Sequence, residues 1–152
     1  MPKVDIAAIR EINATGYPPP FDVIAKGRFR KRLGDAGGLT QFGVNLCRLA
    51  PGAGSSQRHW HEEADELVFM LEGEAVLIED EGETVLKPGD AATFKAAVAN
   101  GHHIVNRSDR DALFLEIGTR SRDDRAEYSD IDMQAVVESG ATRYLHKDGT
   151  PY

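Results

Sequence analysis

The sequence is poor in the features that define several large protein classes. It contains one cysteine, Cys47, so no internal disulfide can form and a disulfide-stapled secreted scaffold is excluded. No apolar run approaches the ~20 residues that a membrane-spanning helix requires. The opening stretch, MPKVDIAAIREINATGYPPP, carries charges through its apolar part and does not read as a signal peptide. Positive charge is also in deficit. There are 18 Lys+Arg against 25 Asp+Glu, a formal charge of −7, and an acidic surface repels phosphate backbones. The expectation is a cytoplasmic protein with no nucleic-acid partner and no membrane association. The Asn-x-Ser/Thr triplets at Asn13 and Asn106 then read as coincidences rather than glycosylation sites.

The 152 residues include 41% hydrophobic side chains, enough for one core and too few residues for two typical domains. Charge divides the chain. Residues 1–40 are net basic, 41–118 strongly acidic and 119–152 mildly acidic. We expect one domain, 1–152, with an N-terminal arm (1–38), a barrel (39–119) and a C-terminal extension (120–152).

The arm holds apolar residues at Val4, Ile6, Ile9 and Ile12, compatible with a helix or an extended segment. Tyr17-Pro18-Pro19-Pro20 forces an extended stretch, since proline fixes φ and restricts its predecessor. An arm without its own core must pack on the domain or on a second subunit, so a homodimer is expected. From Leu39 to Thr119, short β-branched and apolar runs alternate with Gly, Pro, Asn and Asp breaks. Strands are predicted near 41–49, 58–61, 66–72, 74–80, 83–87, 91–95, 102–106 and 111–118. Short strands at such spacing indicate an all-β sandwich or barrel rather than βαβ units. Tyr128–Gly140 is predicted to hold a short helix, opened by Ser129-x-x-Asp132 with Val136 and Val137 on its buried side. The tail from His146 to Tyr152 reads as a packed flap.

Four of the five histidines fall in two clusters. His59 and His61 lie two apart in a predicted strand, so they project from one face. Glu66 follows after a short turn, and Gly73 closes the next strand. The second cluster, His102-His103, can turn only one imidazole inward, and parity favours His102. If the register slips by one residue, His103 takes its place.

These residues resemble the first motif of the cupin family: glycine, a spacer, His-x-His, a short gap, Glu, six residues, Gly. Gly54 stands one residue closer to His59 than is usual. Gly82, Pro88-Gly89-Asp90, His102 and Asn106 resemble the second motif. The proline that commonly precedes its histidine is absent from Phe94-Lys95-Ala96-Ala97. The ends are similar to those of a small group of single-domain bacterial cupins. The resemblance implies a double-stranded β-helix, or jelly-roll barrel, with N- and C-terminal extensions. It also implies that His59, His61, Glu66 and His102 bind one divalent transition metal.

Three imidazoles and a carboxylate suit Fe, Mn, Ni, Co, Cu or Zn without choosing among them. Such a set leaves positions open for a small-molecule ligand. The expected role is a metal-dependent enzyme acting on a sugar, keto acid or similar metabolite, by isomerase, lyase or dioxygenase chemistry. The alternative is a non-catalytic sensing or binding cupin. Gln57, Val68, Met70, Phe94 and Ile104 are the expected pocket residues. No Tyr or Lys falls on a clearly inward position, so no proton-transfer group is assigned. Cys47 is expected to be a small buried hydrophobe. Trp60 points away from the two ligands, and Glu62, Glu63 and Asp65 form a solvated turn. Lys26, Arg28, Arg30 and Arg32 share one face if extended. That stripe is expected to be a charged, solvated edge strand, with steering of an anionic substrate as the competing role.

Overall fold

The computed structural model describes residues 3–152. It contains one short helix, α1 (Leu33–Ala36), and twelve strands. The strands are β1 (Arg28–Arg32), β2 (Phe42–Leu49), β3 (His59–His61), β4 (Glu66–Glu72), β5 (Ala75–Glu79) and β6 (Gly82–Leu86). They continue with β7 (Ala91–Phe94), β8 (His103–Val105), β9 (Ala112–Thr119), β10 (Asp124–Tyr128), β11 (Gln134–Glu138) and β12 (Ala141–Leu145). Strands β2 to β9 coincide with the predicted runs to within a residue or two, because Gly, Pro, Asn, Asp or Ser breaks separate most of the runs.

The strands form a jelly roll. One sheet has the order β1-β2-β9-β4-β7. Facing it, β12-β11-β10-β3 and β6-β5-β8 are joined by single bridges, His59 to His102 and Gly54 to Val105. The core fills the space between. Cys47, Leu49, Val68, Met70 and Phe114 from the first sheet meet Leu77, Leu86 and Ile104 from the other. Burying each large side chain contributes about 1.5–3 kcal/mol, so this layer is the main source of stability. Cys47 belongs to it as a fully buried hydrophobe, and burial pushes its thiol pKa up. Among the described residues, no helix is long and apolar enough to cross a membrane.

Two expectations need correction, and one open alternative is resolved. The segment 124–145 is a three-stranded antiparallel meander, not a helix. Ser139 and Gly140 both have positive φ, the two-residue hairpin turn whose twist matches paired strands. Val136 and Val137 are β-branched and fit a pleated surface better than a helix. Second, the arm is extended and packs on its own chain. Ile12 exchanges backbone hydrogen bonds with Arg30 at 2.9 Å, and Asn13 Nδ2 donates to the Lys26 and Arg28 carbonyls. Tyr17 then packs edge-on against Tyr128 and Tyr144, with ring centroids 5.7 and 5.5 Å apart. The two extensions therefore cover each other within one chain. Third, β1 is an edge strand whose arginine face turns inward. Arg28 and Arg30 pair with Leu49 and Cys47, both fully buried, so these two arginines are withdrawn from solvent while Lys26 and Arg32 stay exposed.

Gly73 ends β4 with φ at +71°, and a Cβ there would stand 2.4 Å from the Asp111 carbonyl oxygen. Gly73→Ala is expected to cost about 2 kcal/mol or more. The check is urea unfolding: the midpoint falls at constant slope, whereas a wild-type midpoint contradicts this turn geometry.

Candidate metal centre

Strand alternation brings the first cluster together. His59 and His61 leave β3 on one face, and Glu66 enters from the start of β4. One ligand atom from each of the three lies within 4.8 Å of the others. The Nε2 atoms of His59 and His61 are 3.1 Å apart, and His61 Nε2 is 3.8 Å from Glu66 Oε2.

The far side of each ring explains this orientation. His59 Nδ1 donates to the Gln57 carbonyl at 2.9 Å, with Ser56 Oγ at 3.3 Å. His61 Nδ1 donates to Asp124 Oδ2 at 2.6 Å. With each proton held on Nδ1, both Nε2 atoms present bare lone pairs to one another beside a carboxylate. Such a cluster is repulsive until a cation lies among the donors. Two nitrogens bound at right angles to one ion at about 2.1 Å would stand about 3.0 Å apart, close to the observed 3.1 Å. The residues therefore fit a divalent metal.

Electrostatics agree. Burial drives the His59 pKa down to about 4, so its ring is neutral at physiological pH. Burial also opposes charge on His61, but the Asp124 hydrogen bond and the nearby Glu66 outweigh it and raise the pKa. Burial would raise Glu66 too. The hydrogen bond from His102 and the adjoining imidazoles reverse this and hold the carboxyl at about 2. His59 and Glu66 are thus already in their metal-binding ionisation states, whereas His61 must release its second proton when a cation displaces it.

His102, not His103, faces the triad. Its Nε2 is 3.0 Å from Glu66 Oε2, and its ring stacks on Phe94 with centroids 3.5 Å apart. It lies against the three-residue group rather than within it. His103 Nδ1 donates to the Ser56 carbonyl at 2.9 Å. A cavity of about 480 Å³ opens on His59, Glu66 and His102, and Val68, Phe94 and Ile104 line it as expected. A smaller one, about 180 Å³, reaches His61, Glu66 and His102 from the Trp60 side.

Two expected pocket residues lie elsewhere. Gln57 gives its side-chain amide to the Phe21 carbonyl at 3.0 Å, because the backbone turns before β3 and breaks the strand parity. Met70 is fully buried in the core, one alternation deeper than the cavity wall.

Three contributors were not singled out in the sequence. Asp124 lies 63 positions from His61, and only the pairing of β10 with β3 brings it near. Glu116 and Tyr17 line the larger cavity, together with Arg28 of the basic stripe, whose competing role was to steer an anionic substrate. Glu116 was detectable: it continues the inward alternation of Ala112 and Phe114 along β9.

A family model described as "Cupin domain" matches residues 45–118. The fold is very similar to that of a sugar phosphate isomerase from a cupin superfamily, from Silicibacter pomeroyi DSS-3. The two share 48% identity over 99% of this chain and 96% of the other, with a TM-score of 0.96. This chain is a cupin. A candidate sugar phosphate isomerase from Acidithiobacillus ferrooxidans is 28% identical over 84% of this cupin and 82% of its own length, TM-score 0.76. The polyketide cyclase RemF from Streptomyces resistomycificus, 19% identical over 80% of each chain with a TM-score of 0.65, shares the fold alone. No curated protein gives a significant match.

His59→Ala and Glu66→Ala are each expected to abolish stoichiometric metal in protein purified without added metal, measured by elemental analysis. Unchanged content in both would remove the site. Asp124→Asn keeps every ligand but loosens His61, and should weaken metal affinity about 10- to 100-fold in a chelator competition.

Proposed function

We propose that this cupin is a metal-dependent isomerase of a small phosphorylated sugar. The observation that carries the reading is the near full-length likeness, at 48% identity, to the Silicibacter pomeroyi sugar phosphate isomerase. His59, His61 and Glu66 would hold the divalent ion, with His102 as a fourth ligand. When bound, the ion supplies Lewis-acid polarisation of carbonyl and hydroxyl oxygens.

The chain supplies the rest. An aldose–ketose isomerisation moves hydrogen between neighbouring carbons and consumes no co-reactant, so one proton carrier on the cavity wall suffices. Glu116 has the position for it. On β9 it pairs with Val68, while Gly118, two residues on, pairs with Glu66. Glu116 therefore lies one inward step along the barrel from the metal-binding carboxylate. Arg30 grips it through two hydrogen bonds of 2.6 and 2.8 Å, which fixes its direction. Val68, Phe94 and Ile104 keep that part of the cavity apolar and limit water.

The test reconstitutes the metal-stripped protein with Mn, Fe, Co, Ni or Zn and follows a set of aldose and ketose phosphates by NMR. Interconversion that requires metal and disappears in Glu66→Ala is the expected result. Glu116→Gln should lower kcat about 100-fold or more with metal content unchanged. Ligand binding with no conversion under any metal would overturn the isomerase and favour the non-catalytic cupin.

A further inference from the structure

Arg28 is the only buried arginine among the described residues, 5% exposed. Arginines are rarely buried so fully unless a carboxylate compensates them. Its neighbours follow that rule: Arg30 pairs with Glu116, Arg48 with Glu11 and Asp111, and Arg58 with Asp80 and Asp130. Arg28 does not. Its Nη2 donates to the Ala14 carbonyl at 3.0 Å and its Nη1 to the Ser55 carbonyl, and no carboxylate lies within ion-pair distance among the described residues. Burial and the neighbouring Arg30 both disfavour its charge.

The unpaired guanidinium lines the same cavity as His59, Glu66 and His102. Ser55, which it contacts, is followed by Ser56, whose hydroxyl touches His59 Nδ1. The charged wall of that cavity consists of Arg28, Arg30, Arg32 and Arg120 against Glu66 and Glu116. A protein of formal charge −7 thus places a cationic excess around the larger cavity, which opens on His59 and Glu66. We infer that Arg28 is the anchor for the phosphate group of the ligand. The guanidinium supplies the planar, charge-assisted donors that phosphate oxygens accept, and a phosphate dianion supplies the missing counter-charge. This deepens the reading of a phosphorylated substrate and rests on it. It adds the residue that selects phosphate and places that group away from the metal ligands.

The experiment titrates inorganic phosphate into the metal-loaded protein by calorimetry, with acetate as a competing arm. Arg28→Met should weaken phosphate binding about tenfold or more with metal stoichiometry unchanged, while Arg28→Lys recovers part of it. Arg107→Gln, an exposed arginine paired with Glu83 outside the cavity, should stay within about twofold of wild type. Phosphate binding that ignores Arg28→Met, that follows metal removal alone, or that acetate matches overturns the inference. Should Arg28→Met fail to fold, the wild-type Arg28 Nε–H NMR signal decides: it shifts on phosphate addition if the anchor is real and stays still if not. No turnover enters these measurements, so a failed isomerase assay and a failed phosphate anchor are distinguishable.

Discussion

Strand β3 is only three residues long, and a strand that short has no stability of its own. It nevertheless carries two of the three converging donors. Its position is imposed from both edges: β10 pairs along one side, matching Tyr128 to His59 and Ala126 to His61, and the His59–His102 bridge closes the other. The rest of the site follows from that clamp. The β10 edge delivers Asp124 to His61, and the bridge brings His102 against Glu66. The C-terminal meander is thus a wall of the metal site as well as a cover for the barrel. It is buttressed in turn by Tyr17 from the arm, which packs on Tyr128 and Tyr144.

Charge is distributed within the molecule to the same end. The acidic excess lies mostly outside the large cavity, while arginines from β1 turn into it. At the triad, two imidazoles and one carboxylate are matched to a divalent cation. Along the wall, Arg30 is neutralised by Glu116 and Arg28 is not. Two opposite electrostatic requirements, one for a cation and one for an anion, therefore lie in a single cavity. A small molecule with oxygen donors at one end and an anionic group at the other meets both.

Much of this was legible in the sequence, for local reasons. His-x-His on a strand, Glu66 after a short turn and the even spacing of His102, Ile104 and Asn106 are set by the period of two, which survives any packing detail. Strand ends from β2 to β9 were legible because Gly, Pro, Asn, Asp and Ser breaks mark most of them. The meander was not. Ser129-x-x-Asp132 resembles a helix start, and the Ser139-Gly140 turn that decides the matter is a weaker signal than Asn-Gly. Asp124 depends on a partner far along the chain, and no local pattern announces it, while Arg28 stood out only as one member of a basic stripe. The inward turn of β1 depends on which face of the strand meets β2, a tertiary choice. Gln57 failed for the opposite reason: parity was extended across a bend where the strand had not yet begun.

The central claim is that the clamped β3 directs two bare Nε2 atoms and the Glu66 carboxylate at one cation. Anomalous diffraction from crystals of the metal-loaded protein, recorded at the absorption edge of the bound ion, tests it most directly. The account predicts one strong peak bonded to Nε2 of His59, Nε2 of His61 and a carboxylate oxygen of Glu66, with the His61–Asp124 hydrogen bond intact. A peak bonded through Nδ1, or one located away from these three side chains, would contradict it.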